Sequence, residues 1–144
     1  MTVDTKLVPR HRVPELWERL KPGLDVYRLK SPHYVPTSEE VREFLMAEDG
    51  DELLVILLDG TYEGFITFKV QPLDREVWGM VAMIFLTKKA QEVNALQEAC
   101  RQLEDVLRSR GATIMNYMTK RKGFARLAPS LGFRPRIIEW MKEL

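Results

Sequence analysis

The sequence predicts an α+β fold: one mixed β-sheet with helices on both faces, in the order β-α-α-β-β-β-α-β-α-β. Two observations carry that prediction. Between Val77 and Phe133 an apolar run, a long amphipathic helix, a second apolar run and a short helix ending in Leu131-Gly132-Phe133 follow in order. Upstream, Leu53–Leu58 is an unbroken apolar run that fits a strand covered on both faces, and Asp59-Gly60 after it is a strong hairpin signal into Tyr62–Val70.

Lys6-Leu7-Val8 reads as a short edge strand closed by Pro9. A helix starts near Pro14, because proline suits the first helical position and Val13, Leu16, Trp17 and Leu20 recur on one helical face. Lys21-Pro22-Gly23 is expected to interrupt it, and Leu24–Pro36 is ambiguous. Thr37-Ser38-Glu39-Glu40 is a capping-box pattern, followed by the stripe Val41, Phe44 and Leu45 of a second helix that stops near Gly50.

Gln71–Arg75, with Pro72 and Asp74, reads as the connection to a strand Val77–Leu86, in which Gly79 marks a bulge or a place where another backbone comes close. In the long helix Val93, Leu96, Cys100, Leu103 and Leu107 trace one face and Glu92, Gln97, Arg101, Glu104 and Arg108 the other, with Gly111 placed to cap the end. Thr113–Met118 reads as a strand, Gly123–Leu131 as a short helix broken by Pro129, and Arg136–Met141 as a final strand.

A chain of 144 residues, 45% hydrophobic and 30% charged, is ordinary for one domain spanning 1–144. The formal net charge of +1 points to no class of partner, but the charges are segregated. Arg108, Arg110, Lys120, Arg121, Lys122, Arg126, Arg134 and Arg136 follow one another without an acid, whereas Glu39, Glu40, Glu43, Glu48, Asp49, Asp51 and Glu52 face the single base Arg42. Cys100 is the only cysteine, on the apolar helix face, which suits packing in a reducing compartment. No apolar stretch is long enough for a membrane span, and Met1–Arg10 lacks the core of a secretion signal, so the expected location is the cell interior. His11 and His33 have no second ligand at metal spacing, so no metal site is expected.

The element order, Asp59-Gly60 followed by Gly64-Phe65, Gly111, and the Leu131-Gly132-Phe133 turn resemble the GNAT superfamily of acyl-CoA-dependent N-acetyltransferases. The resemblance implies acetyl-CoA as the cofactor. It also implies a loop Gln/Arg-x-x-Gly-x-Gly/Ala at the head of the long helix, where backbone N–H groups wrap a pyrophosphate. With Gln91 in the first position, Asn94 and Leu96 stand where the small residues belong, and side chains there are expected to crowd the phosphate and restrict the backbone. The family's frequent general-acid tyrosine falls on Ala128, leaving Tyr117 as the nearby substitute or a packing residue. By resemblance Ile84, Phe85 and Leu86 present strand backbone to the pantetheine arm, with Lys88, Lys89 and Gln91 near the phosphates; otherwise both lysines are solvated.

A narrower likeness lies in Trp17 with Lys21-Pro22-Gly23-Leu24, Ser38-Glu39-Glu40-Val41, and Thr119-Lys120-Arg121-Lys122-Gly123-Phe124. These look like small GNAT-like proteins encoded among the structural genes of tailed bacteriophages, many of which carry Arg-x-Gly-Trp where this chain has Arg121-Lys122-Gly123-Phe124. That likeness implies synthesis in an infected bacterium and other virion proteins as partners.

Glu63 and Glu76, at strand margins, are candidate general bases for an amine, or simply solvated carboxylates. Lys120, Arg121 and Lys122, with Phe124 and Arg126, offer phosphate neutralisation and a stacking surface for nucleic acid, a grip on an acidic protein, or a solvated loop. The expectation drawn from the losses at Asn94, Leu96 and Ala128 is a phage-type protein with a degenerate acetyl-CoA site, acting as a virion-associated or accessory binding module. The alternatives are an active N-acetyltransferase and a nucleic-acid or acidic-protein binder.

Overall fold

The computed structural model describes residues 1–30, 36–119, 122–136, 140, 142 and 144. Within them one sheet runs in the order β1 (Val3–Val8), β2 (Glu52–Leu58), β3 (Thr61–Leu73), β4 (Glu76–Leu86) and β5 (Ile114–Tyr117). The first four are antiparallel neighbours and β5 joins β4 in parallel, so the sheet is mixed, as predicted. The predicted last strand, Arg136–Met141, falls largely on residues outside the described ones.

Helices cover both faces. On one, α1 (Val13–Lys30) and α2 (Ser38–Met46) bury Val13, Trp17, Leu20, Leu24, Tyr27, Val41 and Leu45 against Leu53, Val55, Phe65 and Met83 of the sheet. On the other, α4 (Ala95–Ser109) buries Leu96, Ala99, Cys100, Leu103 and Leu107 against Leu54, Ile56, Ile66, Phe68, Val81 and Ile84. Alternation along β2, β3 and β4 sends neighbouring side chains to opposite cores, which is why these strands read as continuous apolar runs.

Four expectations need correction. The helix does not break at Pro22: α1 continues to Lys30, and its buried stripe Val13, Trp17, Leu20, Leu24, Tyr27 keeps helical spacing through the proline. Gly23 explains the continuity, since a Cβ there would stand 2.6 Å from the Phe85 ring and 3.1 Å from the Phe65 ring; its absence lets α1 lie directly on β3 and β4. Second, the hairpin from β3 to β4 is tighter than a Gln71–Arg75 connection, because pairing persists to Leu73↔Glu76 and the turn is Asp74-Arg75, with Asp74 at φ 55°.

Third, Gly79 is neither a bulge nor a backbone contact. It is where the Leu107 side chain of α4 lies on the sheet, 2.5 Å from where a Cβ would be. The bulge of β4 is at Ala82, since Thr67 pairs with Met83 and Phe68 with Val81. Fourth, the long helix is two: a short α3 (Lys88–Glu92), then Asn94 at φ 54°, ψ 38°, then α4. At the distal end, α5 (Lys122–Leu127) gives way to a 3₁₀ turn over Ala128–Leu131, ending at Gly132.

Other local signals hold. Thr37 and Glu40 form the full capping box. Asp59 and Gly60, at φ 48° and 84°, make the two-residue turn between β2 and β3. Gly111, at φ 83°, closes α4 with Ala112 N–H bonded to the Leu107 carbonyl and Gly111 N–H to that of Arg108, the double bond of a Schellman ending. Among the described residues no helix is long and apolar enough to cross a membrane.

The role given to Gly23 has a testable sign. Helix propensity alone makes Gly23→Ala stabilising by roughly 1 kcal/mol, whereas overpacking against Phe85 and Phe65 makes it destabilising by about 1–3 kcal/mol. The second outcome is expected in urea unfolding; a more stable variant would show that α1 does not depend on the close approach.

Candidate functional site

The site is defined by where β4 and β5 part. Their pairing covers only Trp78↔Ile114 to Val81↔Tyr117, whereas β4 stays paired to β3 as far as Leu86. The bulged residue at the parting, Ala82, is exposed in mid-strand, and the next residues commit their side chains to the two cores: Met83 and Phe85 towards α1, Ile84 and Leu86 towards α4. A ligand lying along this part of β4 therefore meets main chain rather than side chains.

Tyr117, the last residue of β5, stands at this parting. Its hydroxyl lies 3.2 Å from that of Tyr27, a buried residue of α1. The pair joins a residue of the α1 core to one packed against the α4 core, at the level where the two strands separate. Phe124 packs edge-on against the Tyr117 ring at 4.8 Å and itself lies against Phe133 at 5.6 Å. Tyr27 was not among the residues singled out from sequence. The signal was available in its spacing from Leu20 and Leu24, and was lost by ending the helix at Pro22.

From the parting, β4 leads through Leu86 and Thr87 into α3, and a left-handed turn at Asn94 leads into α4. Gln91 Nε2 donates to the Leu86 carbonyl at 2.9 Å, tying this segment back onto the strand. Asn94 has the backbone conformation that a glycine would supply, and asparagine is one of the few residues that enter it readily. Leu96 is buried in the α4 core, so its side chain points away from the exposed surface of the turn. Asn94 thus takes a left-handed turn with its side chain exposed, and Leu96 is turned inward. Lys88 and Lys89 are exposed on α3, before that turn rather than at the head of the long helix.

The two carboxylates lie far apart. Glu63 is skipped by the pairing of Ile56 with Gly64 and Leu57 with Tyr62, and its carboxylate accepts the Thr87 hydroxyl. At about 3.4 Å per residue, Thr87 is roughly 17 Å along the chain from Ala82. Glu76 is exposed at the other end of β4, about 20 Å from Ala82 on the same measure, beside a shallow groove of about 690 Å³ lined by Asp74, Arg75 and Trp78 with Arg136 stacked on the indole. Tyr117 alone of the three candidate catalytic residues is at the parting. Ala128 begins the 3₁₀ turn and brings no hydroxyl there.

In the basic segment, Lys120 and Arg121 lie outside the described residues, and Lys122 opens α5. Phe124 is half-buried and packs against Tyr117 and Phe133, while Arg126 is exposed. No group of acidic, histidine or cysteine side chains among the described residues could hold a metal ion. Burial pushes the Cys100 thiol up to about 12, which makes it an inert core residue.

No protein-family model and no curated protein matches the sequence. Solved structures do. A ribosomal-protein-alanine N-acetyltransferase from Brucella melitensis biovar Abortus 2308 superposes with a TM-score of 0.73 at 16% identity, covering 99% of this chain and 100% of that one. An aminoglycoside acetyltransferase from an uncultured soil metagenomic sample, in complex with sisomicin, gives 0.72 at 13% identity over 99% and 96%. Glucosamine-6-phosphate N-acetyltransferase from Arabidopsis thaliana gives 0.66 at 11% identity over 99% of each chain. The fold is that of the GNAT acetyltransferases.

The expectation of a virion-associated binding module is overturned here. The solved structures sharing this GNAT fold are mostly named as acetyltransferases, which favours the active alternative.

The left-handed turn can be tested directly. Asn94→Ala is expected to cost about 1 kcal/mol and Asn94→Gly to be neutral within about 0.5 kcal/mol, both read by urea unfolding. Equal stability of the two variants would mean that Asn94 is not in this conformation.

Proposed function

We propose that the protein is an N-acyltransferase that moves the acetyl group of acetyl-CoA to an amine. The observation that carries the reading is the parting of β4 from β5 at Ala82, with Tyr117 at its apex and the left-handed turn into α4 beyond its open end. Similar structures include one named an aminoglycoside acetyltransferase and one named a ribosomal-protein-alanine N-acetyltransferase, which supports nitrogen as the acceptor atom.

The residues present fit the cofactor. Main chain of Ile84, Phe85 and Leu86 would receive the pantetheine arm, and the turn from Gln91 to Ala95, with Lys88 and Lys89 beside it, would receive the phosphates. Acetyl-CoA supplies an acyl carbon activated as a thioester; transfer to an amine requires a proton removed from nitrogen and a proton given to the departing sulfur. Tyr117 is the group placed to give that proton, with its hydroxyl oriented by Tyr27. Glu63 and Glu76 sit at opposite ends of β4, so in this reading the amine loses its proton to water. The phage likeness carries no part of the proposal.

Calorimetric titration with acetyl-CoA, with unacetylated CoA as comparison, tests the reading. Saturable binding is expected, weakened roughly tenfold by the Lys88→Ala/Lys89→Ala double change. With sisomicin or an alanine-terminated peptide as acceptor, Tyr117→Phe is expected to lower kcat by about 10²-fold or more and leave acetyl-CoA affinity unchanged. No binding at millimolar acetyl-CoA would sink the proposal.

A further inference from the structure

The sequence offers Glu63 as a base, but its surroundings assign it another task. The bulge in β3 takes Glu63 out of register with β2, and both ends of the residue then engage Thr87. The Thr87 N–H donates to the Glu63 carbonyl at 3.0 Å, and the Thr87 hydroxyl donates to the Glu63 carboxylate. Having given its proton to Glu63, the Thr87 oxygen presents lone pairs to the Ala90 N–H at 3.3 Å and so caps α3. Thr87 thereby joins a bulge in the middle of the sheet to the first turn of the segment that ends at Asn94.

We infer that Glu63 is a positioning residue: acting through Thr87, it fixes the segment from Lys88 to Asn94 in the conformation that receives the phosphates of acetyl-CoA. The inference rests on the acyltransferase reading above. The geometry supports it in three ways. Thr87 is the hinge between β4 and α3, so what orients its side chain orients everything up to α4. α3 has five residues and little burial of its own, only Ala90 being buried, so it depends on anchors at its ends. The second anchor, Gln91 to the Leu86 carbonyl, reaches the same strand end from the other direction. A carboxylate accepting a hydroxyl is also the stronger kind of hydrogen bond, suited to holding an otherwise marginal turn.

A positioning role and a catalytic one separate cleanly. Glu63→Ala removes the acceptor, whereas Glu63→Gln keeps a carbonyl oxygen in reach of the Thr87 hydroxyl but cannot serve as a base. In the protein without ligand, amide hydrogen exchange over residues 88–95 is expected to quicken by roughly tenfold or more in Glu63→Ala, and to return near the parent rate in Glu63→Gln. Acetyl-CoA is expected to bind roughly tenfold more weakly to Glu63→Ala, with kcat at saturation retained and with affinity restored by glutamine. Thr87→Val, which loses the hydroxyl and keeps the shape, should reproduce the alanine result. Unchanged exchange in Glu63→Ala would overturn the inference, as would a fall in kcat shared by the alanine and glutamine variants at unchanged affinity, the mark of a base. Failure of the parent protein to bind acetyl-CoA would instead overturn the acyltransferase reading and the ligand named here, and the exchange measurement would still decide whether Glu63 holds the turn.

Discussion

β4 is paired along its whole length with β3 but along only its first half with β5, and the rest of the molecule is arranged around that inequality. Two features impose it. The extra residue at Ala82 bends β4 where the strands would otherwise continue together. At the end of β5, Phe124 of α5 packs edge-on against the Tyr117 ring, where the pairing with β4 stops. The paired half is clamped from behind by Leu107 of α4, which fits only because residue 79 is glycine. One end of β4 is thus held on three sides, and the other is left with an edge of main chain.

At that other end the chain faces a local problem, because a helix cannot run straight on from β4 and still lay its apolar stripe on the sheet. The solution is a short helix, a left-handed residue and a fresh start. Val93, placed by periodicity on the apolar face, is exposed because it precedes the turn; the stripe that packs begins at Ala95 and Leu96. Asparagine costs less than other non-glycine residues in this conformation, and it leaves a polar side chain at the surface.

Most of the fold was legible because its signals are local. The apolar run Leu53–Leu58, the Asp59-Gly60 turn, the Thr37–Glu40 capping box and Gly111 each act within a few residues, and each lies where sequence reasoning put it. What was missed depends on contacts between distant segments. Pro22 reads as a breaker until Gly23 is seen against Phe85 and Phe65, both distant in the chain. The bulges at Ala82 and beside Ile56 are properties of pairing, invisible in either strand alone. For the same reason the candidate site was half legible. The strand end, the turn into α4 and Tyr117 were noted from their order in the chain, but Tyr27 was lost behind the proline, and the hydrogen bonds between Glu63 and Thr87 could not be seen from either strand alone.

Tyr27 shows how packing and site geometry depend on each other. An interior proline deprives a helix of one hydrogen bond and crowds the preceding turn, at a cost of about 3 kcal/mol. Ending α1 before Pro22 would avoid that cost but would remove Leu24 and Tyr27 from the core they fill beside Phe65 and Met83. Burying those two side chains is worth a comparable amount, about 1.5–3 kcal/mol for a leucine-sized group, so the helix persists. Its last buried residue then brings a hydroxyl into an apolar interior, where an unpartnered one is costly. The parting of β4 and β5 resolves this, because it lets Tyr27 reach Tyr117 across the plane of the sheet. The Tyr117 hydroxyl at the apex is therefore positioned from the opposite core, by a helix that persists through its proline because Gly23 lets it lie against β4.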